Sequence, residues 1–183
     1  QELRPSAAIL VLLVAPARGG TLVNSLEDGL RAAASLVGYF FLMGSLPRLI
    51  TPVETGFELM SSQTAEEFLG VLAGYSPPER EAEEDLLLEG FAFAGHSLAG
   101  SSMAVVTNAS LPAIRGALGW LPAPEQSSIV VVDDESYGRA PGDGLKVREQ
   151  LVAAASGFPA NLFSISNGED VGECLSGLST ITA

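Results

Sequence analysis

The segment GHSLAG, residues 95–100, contains the serine whose surroundings most resemble a catalytic site. Gly95 stands two residues before Ser97 and a small residue stands two positions after it. This spacing approximates the nucleophile elbow of α/β hydrolases, a strained strand-to-helix turn. In those enzymes the histidine that takes the serine proton follows the serine along the chain. The single histidine here, His96, directly precedes Ser97, and the single lysine, Lys146, lies on a predicted helix start. A hydrolase with Ser97 as nucleophile is therefore an alternative, and a non-enzyme is the favoured hypothesis.

An acidic run, Asp133-Asp134-Glu135-Ser136, follows an apolar stretch that predicts a buried strand. These residues would lie at the carboxyl end of the strand, where open α/β sheets bind their ligands. Their oxygen atoms suit Mg²⁺ or Ca²⁺, but such a site also needs ligands from other loops. The other loops offer none, so no metal or other cofactor is expected. Metal-dependent adhesion through Asp133 is a second alternative.

Three further motifs carry less functional information. The segment ARGGT at 17–21 could hold an anion with backbone N–H groups before a helix, but it lacks the lysine of a P-loop. Asn108-Ala109-Ser110 matches a glycosylation acceptor, a pattern that arises often by chance. Cys174 is the single cysteine, so no internal disulfide forms, and its neighbours predict a small apolar residue on a helix face.

The composition predicts one globular domain over residues 1–183, with 47% hydrophobic and 17% charged residues. A net charge of −13 with one lysine argues against binding to nucleic acid, which needs clustered basic residues. The opening apolar run, Ala8–Val14, imitates a secretory signal, but a buried strand is the favoured interpretation. It is also shorter than the roughly 20 apolar residues that span a bilayer.

The first half of the chain alternates between strand and helix patterns. After the strand at Ala8–Val14, a helical stripe runs from Leu22 to Val37, and Gly38 is expected to end it before a second strand at Tyr39–Met43. The pieces Arg48–Val53 and Gly56–Met60 predict a hairpin. Two helices are expected next. The first starts at Thr64 with Glu67 completing a capping box, and the second carries a stripe through Ser97 on Leu87, Phe91, Ala94 and Leu98.

The second half is less regular before it becomes clear again. Met103–Thr107 fits either a short strand or a continued helix, and a short helix is expected around Ile114. A buried strand in SSIVVVDDES that ends in acids, a helix at Val147–Ala155 and a strand at Leu162–Ser166 follow. The final helix carries Val171, Cys174, Leu175 and Leu178 on one face. This alternation predicts an α/β fold in three layers: a mostly parallel open sheet with helices on both faces and one short antiparallel edge strand.

This order of elements resembles a von Willebrand factor A domain over most of the chain. Such domains open with a buried strand, a long helix and a second strand with an adjoining antiparallel strand. Helices follow, and then a strand that ends in Thr-Asp-Gly. The segment VVVDDES resembles that strand, with Asp133 at the position of its aspartate. The closing segment FPANLFSISNGEDVGECLSGLS is similar to the final strand and helix of the family.

The metal site of this family uses Asp-x-Ser-x-Ser after the first strand, where this sequence has VAPARGG. The threonine of the second metal loop is also missing near SPPEREAEED. The resemblance therefore implies a metal-free member, and such members dock proteins within multi-subunit complexes. The expectation is a non-catalytic scaffold inside the cell, in the nucleus if the complex acts in transcription, with no nucleic-acid or membrane partner. Secretion stays open.

A candidate partner-binding group lies in the irregular segment 100–126. Its members are Leu118, Trp120 and Leu121, and tryptophan is favoured where binding energy concentrates in interfaces. A simpler interpretation is that Trp120 packs this segment against its own domain.

Overall fold

A computed structural model describes residues 7–16, 24–79, 83–98, 101–138 and 160–176, together with residues 150 and 153. Within these residues, six strands form one sheet in the order β3-β2-β1-β4-β5-β6. All neighbouring strands are parallel except the edge strand β3, which runs antiparallel to β2. The strands are β1 (Ala7–Leu12), β2 (Arg48–Val53), β3 (Gly56–Ser61), β4 (Ser102–Thr107), β5 (Ser127–Val132) and β6 (Asn161–Ile165).

Helices cover both faces of this sheet. Helices α1, α2 and α5 pack with one hydrophobic cluster, and helices α3 and α4 pack with the other. The expected three-layer α/β fold with one antiparallel edge strand is therefore confirmed. The helices are α1 (Ser25–Leu42), α2 (Ala65–Ala73), α3 (Glu83–Ser97), α4 (Leu111–Ala117) and α5 (Val171–Leu175).

The first strand shows why the sheet forms from apolar runs. All six residues of β1 are buried. Ile9 and Val11 contribute to the cluster under α1, whereas Leu10 and Leu12 contribute to the cluster under α3. A strand covered on both faces has no polar side, so its sequence reads as a continuous hydrophobic run.

The predicted strand at Tyr39–Met43 is wrong, because α1 continues through this segment to Leu42. Gly38 does not end the helix. The helix ends at Leu42 instead. Gly44, two residues later, has a φ of +72°, which glycine adopts easily, and its N–H donates to the carbonyl of Phe41 at 3.0 Å. The apolar run at the end of α1 had the length of a strand but belongs to a helix.

Other local predictions have mixed outcomes. Met103–Thr107, which fitted two structures, lies in a central strand between β1 and β5. Helix α2 starts after Thr64 as expected, but the capping box is wrong. The Thr64 side chain makes no cap hydrogen bond, and Glu67 accepts one from Ser62 instead. Most of the helix expected at Val147–Ala155 lies outside the described residues, as does Leu178.

Among the described residues, no helix combines the length and the apolar composition needed to cross a membrane.

Candidate functional site

The direction of chain connections reverses between β1 and β4, which are neighbours in the middle of the sheet. In open α/β sheets, ligands bind in the crevice outside the carboxyl ends of the strands at such a switch point. Side chains that follow β1 and β4 are therefore candidates for a functional site.

Asn108 directly follows β4 and is 1% exposed. Its amide pairs with the backbone of Val14, two residues after β1. The side-chain oxygen accepts from the Val14 N–H at 2.8 Å, and the side-chain nitrogen donates to the Val14 carbonyl at 3.0 Å. The same nitrogen donates to the hydroxyl of Ser25 at 3.1 Å. The amide thus extends the hydrogen bonding between β1 and β4 beyond the strands.

Tyr75, which follows the end of α2, bonds to Leu13, the residue before Val14 in the segment that follows β1. Its hydroxyl donates to the carbonyl of Leu13 at 2.7 Å and accepts from the Leu13 N–H at 3.2 Å. Burial raises the pKa of the Tyr75 phenol, outweighing the backbone hydrogen bond with Leu13, which lowers it. The chain that leaves β1 is therefore held by two side chains, an amide and a neutral phenol.

A second group of bonds joins the start of α1 to the turn after β5. Ser25 donates to Asp134, and Tyr137 donates to Asp28. Asp28 also receives a hydrogen bond from Arg31 at 3.1 Å. The pKa of Tyr137 is raised, first by burial, then by its hydrogen bond to Asp28, and further by the negative charges of nearby aspartates. The phenol is therefore held in its protonated, donating form.

Asp133, the alternative metal ligand, is 7% exposed, and its backbone helps to build this turn. Its N–H donates to the carbonyl of Ile165 at 2.8 Å, and its carbonyl accepts from the hydroxyl of Ser136 at 2.7 Å. Within the described parts of the chain, no three His, Cys, Asp or Glu residues are grouped so that they could hold a metal ion. Every buried side-chain nitrogen or oxygen there has a hydrogen-bond partner. The polar atoms of this edge bind one another.

Ser97 is the last residue of α3, so a helix precedes it rather than a strand. The ring nitrogen Nδ1 of the neighbouring His96 lies 2.7 Å from the carbonyl oxygen of Ala92, one turn earlier. Neither residue has the strand-to-helix geometry of a nucleophile elbow. The expectation that a helix runs through Ser97 is confirmed.

The glycosylation motif falls on Asn108, a buried polar residue of the site. An acceptor asparagine must offer its amide nitrogen at the surface. In Asn108 that nitrogen is already bonded to Val14 and Ser25 inside the protein. The folded domain therefore does not present Asn108 for glycosylation. The glycosylation motif therefore gave a misleading indication of the role of Asn108. The position of this residue directly after an apolar run could have suggested a role at a strand end.

The candidate partner-binding group divides into buried and exposed members. Leu118 and Leu121 are 4% and 5% exposed and belong to the hydrophobic core, so they are not available to a partner. Trp120 is 70% exposed, in a short 3-10 turn at Leu118–Trp120. The interpretation that Trp120 packs against its own domain is therefore wrong, and the group narrows to Trp120.

The glycine segment at 17–21 lies outside the described residues. No model of a known protein family matches the sequence, and no curated protein matches it either.

Proposed function

We propose that this chain is a metal-free, non-catalytic docking domain of the von Willebrand factor A type that works within a multi-subunit complex. The order of helices and strands, with an antiparallel edge strand beside β2, supports this proposal. Its pattern is most similar to the amino-terminal domain of Mediator subunit 25: a short hairpin before a helix, a second helix, and then an apolar strand. A Mediator-like transcription complex in the nucleus is accordingly the proposed setting.

The position of β4 refines this resemblance. In the family, the strand that follows the helices ends in Thr-Asp-Gly. Here the first strand after α2 and α3 is β4, which runs into Thr107-Asn108-Ala109, and Asp133 follows one strand later. The aspartate position is then better assigned to Asn108. A neutral amide bonded to Val14 replaces the carboxylate that would face a metal, which supports a metal-free role.

The exposure of Trp120 is the observation that carries the docking proposal. Leu118 and Leu121 are buried in the core and anchor the turn that carries the exposed indole. A tryptophan held in this way loses little conformational freedom when a partner covers it, and tryptophan is enriched among residues that dominate binding.

Other exposed apolar residues occur at the same edge of the sheet. Helix α1 starts at the carboxyl edge and ends at the amino edge, where Leu42, Met43 and Leu46 are 89%, 61% and 50% exposed. Trp120 precedes β5 and so belongs to the amino edge as well. We call these four residues the apolar edge. It lies at the opposite end of the strands from the internally bonded carboxyl edge.

Affinity purification of the tagged chain, followed by mass spectrometry, tests this function. We expect subunits of a transcription complex to purify with the wild type, and Trp120→Ala to reduce their yield at least about tenfold, as for a residue that dominates binding. The matched control is Leu69→Ala, since Leu69 is 42% exposed on α2. Both variants should melt at the wild-type temperature. Equal yields with Trp120→Ala and wild type would contradict docking through Trp120.

A further inference from the structure

We propose that a groove between the β2–β3 hairpin and the end of α2 binds an extended segment of a partner protein that carries lysine or arginine. The groove has a volume of about 710 Å³. This inference rests on the proposed docking function, but it concerns a surface that does not include Trp120. We call this surface the hairpin groove.

The walls of the hairpin groove offer apolar contacts to a chain of alternating composition. Pro52 and Val53 line it from the hairpin, and Val71, Tyr75 and Pro77 line it from α2 and the segment that follows. The volume is within the range of about 300–1,000 Å³ that is typical of ligand sites. The space is therefore large enough for several side chains of a bound segment.

Three carboxylates give the groove its charge. Glu54, Glu58 and Glu79 line it, and none of the described lining residues is basic. The two ion pairs recorded among the described residues both involve Arg31 on α1, away from this groove. With a chain charge of −13, this concave acidic surface attracts cations. Arg80 follows Glu79 in the sequence and lies outside the described residues.

The edge strand β3 explains why an extended segment is the best-fitting occupant. Among the residues that the structure describes, strand β3 pairs only with β2 and is the edge strand of the sheet. Extended peptides bind at such edges through backbone hydrogen bonds, while alternate side chains meet the two faces of the sheet. Glu58 faces the groove, and the next residue, Leu59, is 37% exposed on the opposite face. A basic residue of the bound segment would contact Glu58, and an adjacent apolar residue would contact Leu59 on the opposite face.

This pattern defines the probe for a direct test. A fluorescein-labelled octapeptide of alternating lysine and valine is titrated with the full chain, and fluorescence anisotropy gives the affinity. We expect binding that weakens as salt is added, because exposed charges are screened. The corresponding peptide of alternating glutamate and valine should not bind.

A matched pair of variants locates the binding site. The groove variant carries Glu54→Gln, Glu58→Gln and Glu79→Gln. The control variant carries Glu66→Gln, Glu125→Gln and Glu173→Gln, three exposed carboxylates outside the groove lining, and removes the same charge. We expect the groove variant to weaken binding at least about tenfold and the control variant less than about twofold, because close charge pairs contribute far more than distant ones. Unchanged melting temperatures would show that both variants fold.

Two results would overturn the inference. Equal weakening by both variants would mean that net charge alone attracts the peptide, and failure of the wild type to bind it would remove the predicted occupant. Trp120→Ala is expected to retain full affinity for the peptide. Purification of complex subunits with Trp120→Ala therefore tests the proposed function. Peptide binding by the groove variant tests the hairpin groove separately.

Discussion

At the scale of single residues, the amide of Asn108 supplies the backbone of Val14 with both a donor and an acceptor. A carboxylate in the same place could accept from the N–H but could not donate to the carbonyl. An alanine could do neither. In the described parts of the chain, the strand pairing of β1 with β4 ends at Leu12 and Thr107, and the Asn108 side chain provides the hydrogen bonds that a neighbouring strand would otherwise provide to Val14. We therefore expect the hydrogen bonds of Asn108 to stabilise the fold.

Asn108→Ala should lower the free energy of unfolding by about 3 kcal/mol, because the partly buried N–H and carbonyl of Val14 and the buried hydroxyl of Ser25 lose a hydrogen-bond partner. Chemical denaturation monitored by circular dichroism measures this change. The control is Ser110→Ala, since Ser110 is exposed and its side chain makes no cap hydrogen bond. A loss below about 1 kcal/mol for Asn108→Ala would contradict the proposed role, since surface substitutions commonly change stability by that little.

The phenol of Tyr137 makes a prediction about alkaline pH. Its pKa in the folded state is raised above the ordinary value of 10.0, so the folded chain keeps the proton that the unfolded chain releases. The stabilising contribution is fully present below pH 10 and is lost as the pH rises toward the folded pKa. Tyr137→Phe should cost about 2 kcal/mol at pH 8, when Asp28 loses its hydrogen bond.

The difference in unfolding free energy between wild type and Tyr137→Phe should therefore narrow as the pH is raised above 10. Denaturant titrations at a series of alkaline pH values test this. The difference caused by Asn108→Ala involves no titrating group and should stay constant over the same range. A gap for Tyr137→Phe that does not change with pH would contradict the assignment.

At the scale of elements, helix α1 contains two glycines in different surroundings. A Cβ atom added at Gly29 would lie 2.5 Å from a methyl carbon of Leu13, the buried residue that follows β1, so the Leu13 side chain would have to move. A Cβ atom at Gly38 would meet no atom within 4 Å. A side chain at the first glycine is therefore opposed by its close packing against Leu13. The second only weakens the helix, because glycine loses more backbone freedom than alanine does.

Gly29→Ala should therefore destabilise the chain by about 1–3 kcal/mol through overpacking against Leu13. Gly38→Ala should stabilise it by about 0.5–1 kcal/mol, because alanine favours the helix at an unobstructed position. Thermal and chemical unfolding of the two variants give the comparison. Changes of the same sign would show that α1 does not pack against Leu13 as described.

At the scale of the whole molecule, the two ends of the parallel strands have opposite characters. Beside β1, β4 and β5, the carboxyl edge, which binds ligands in many open α/β sheets, is occupied by side chains that bond to one another. The amino edge carries exposed apolar side chains such as Leu42 and Trp120. This distribution favours partner contact at the apolar edge over chemistry at the carboxyl edge.

Excess Mg²⁺ should leave the melting temperature within about 1 °C of its value in NaCl of equal ionic strength, because a ligand stabilises only a state that binds it. The salt control is needed because cations screen a chain with a net charge of −13. Differential scanning fluorimetry provides the measurement. A saturable rise of several degrees with Mg²⁺ alone would indicate a metal site and contradict the metal-free proposal.

The sequence alone predicted the strands and helices whose hydrophobic pattern is complete within a short segment. The apolar runs of β1 and β5 predicted strands buried on both faces, and the stripe through Phe91 and Ala94 predicted α3. Periodicity predicts an element well when one face is buried and the other is exposed. It failed at Tyr39–Met43 because apolar residues around the end of a long helix imitate the composition of a strand.

Only the tertiary structure decided which residues form the carboxyl edge. The bonds of Asn108 and Tyr75 to the segment after β1 join residues 94 and 62 positions apart. A sequence pattern reports on neighbours within a few turns or one strand, and it contains no measure of such distant pairing. Likewise, the sequence placed a tryptophan between two leucines, but burial of both leucines in the core is what leaves Trp120 facing solvent.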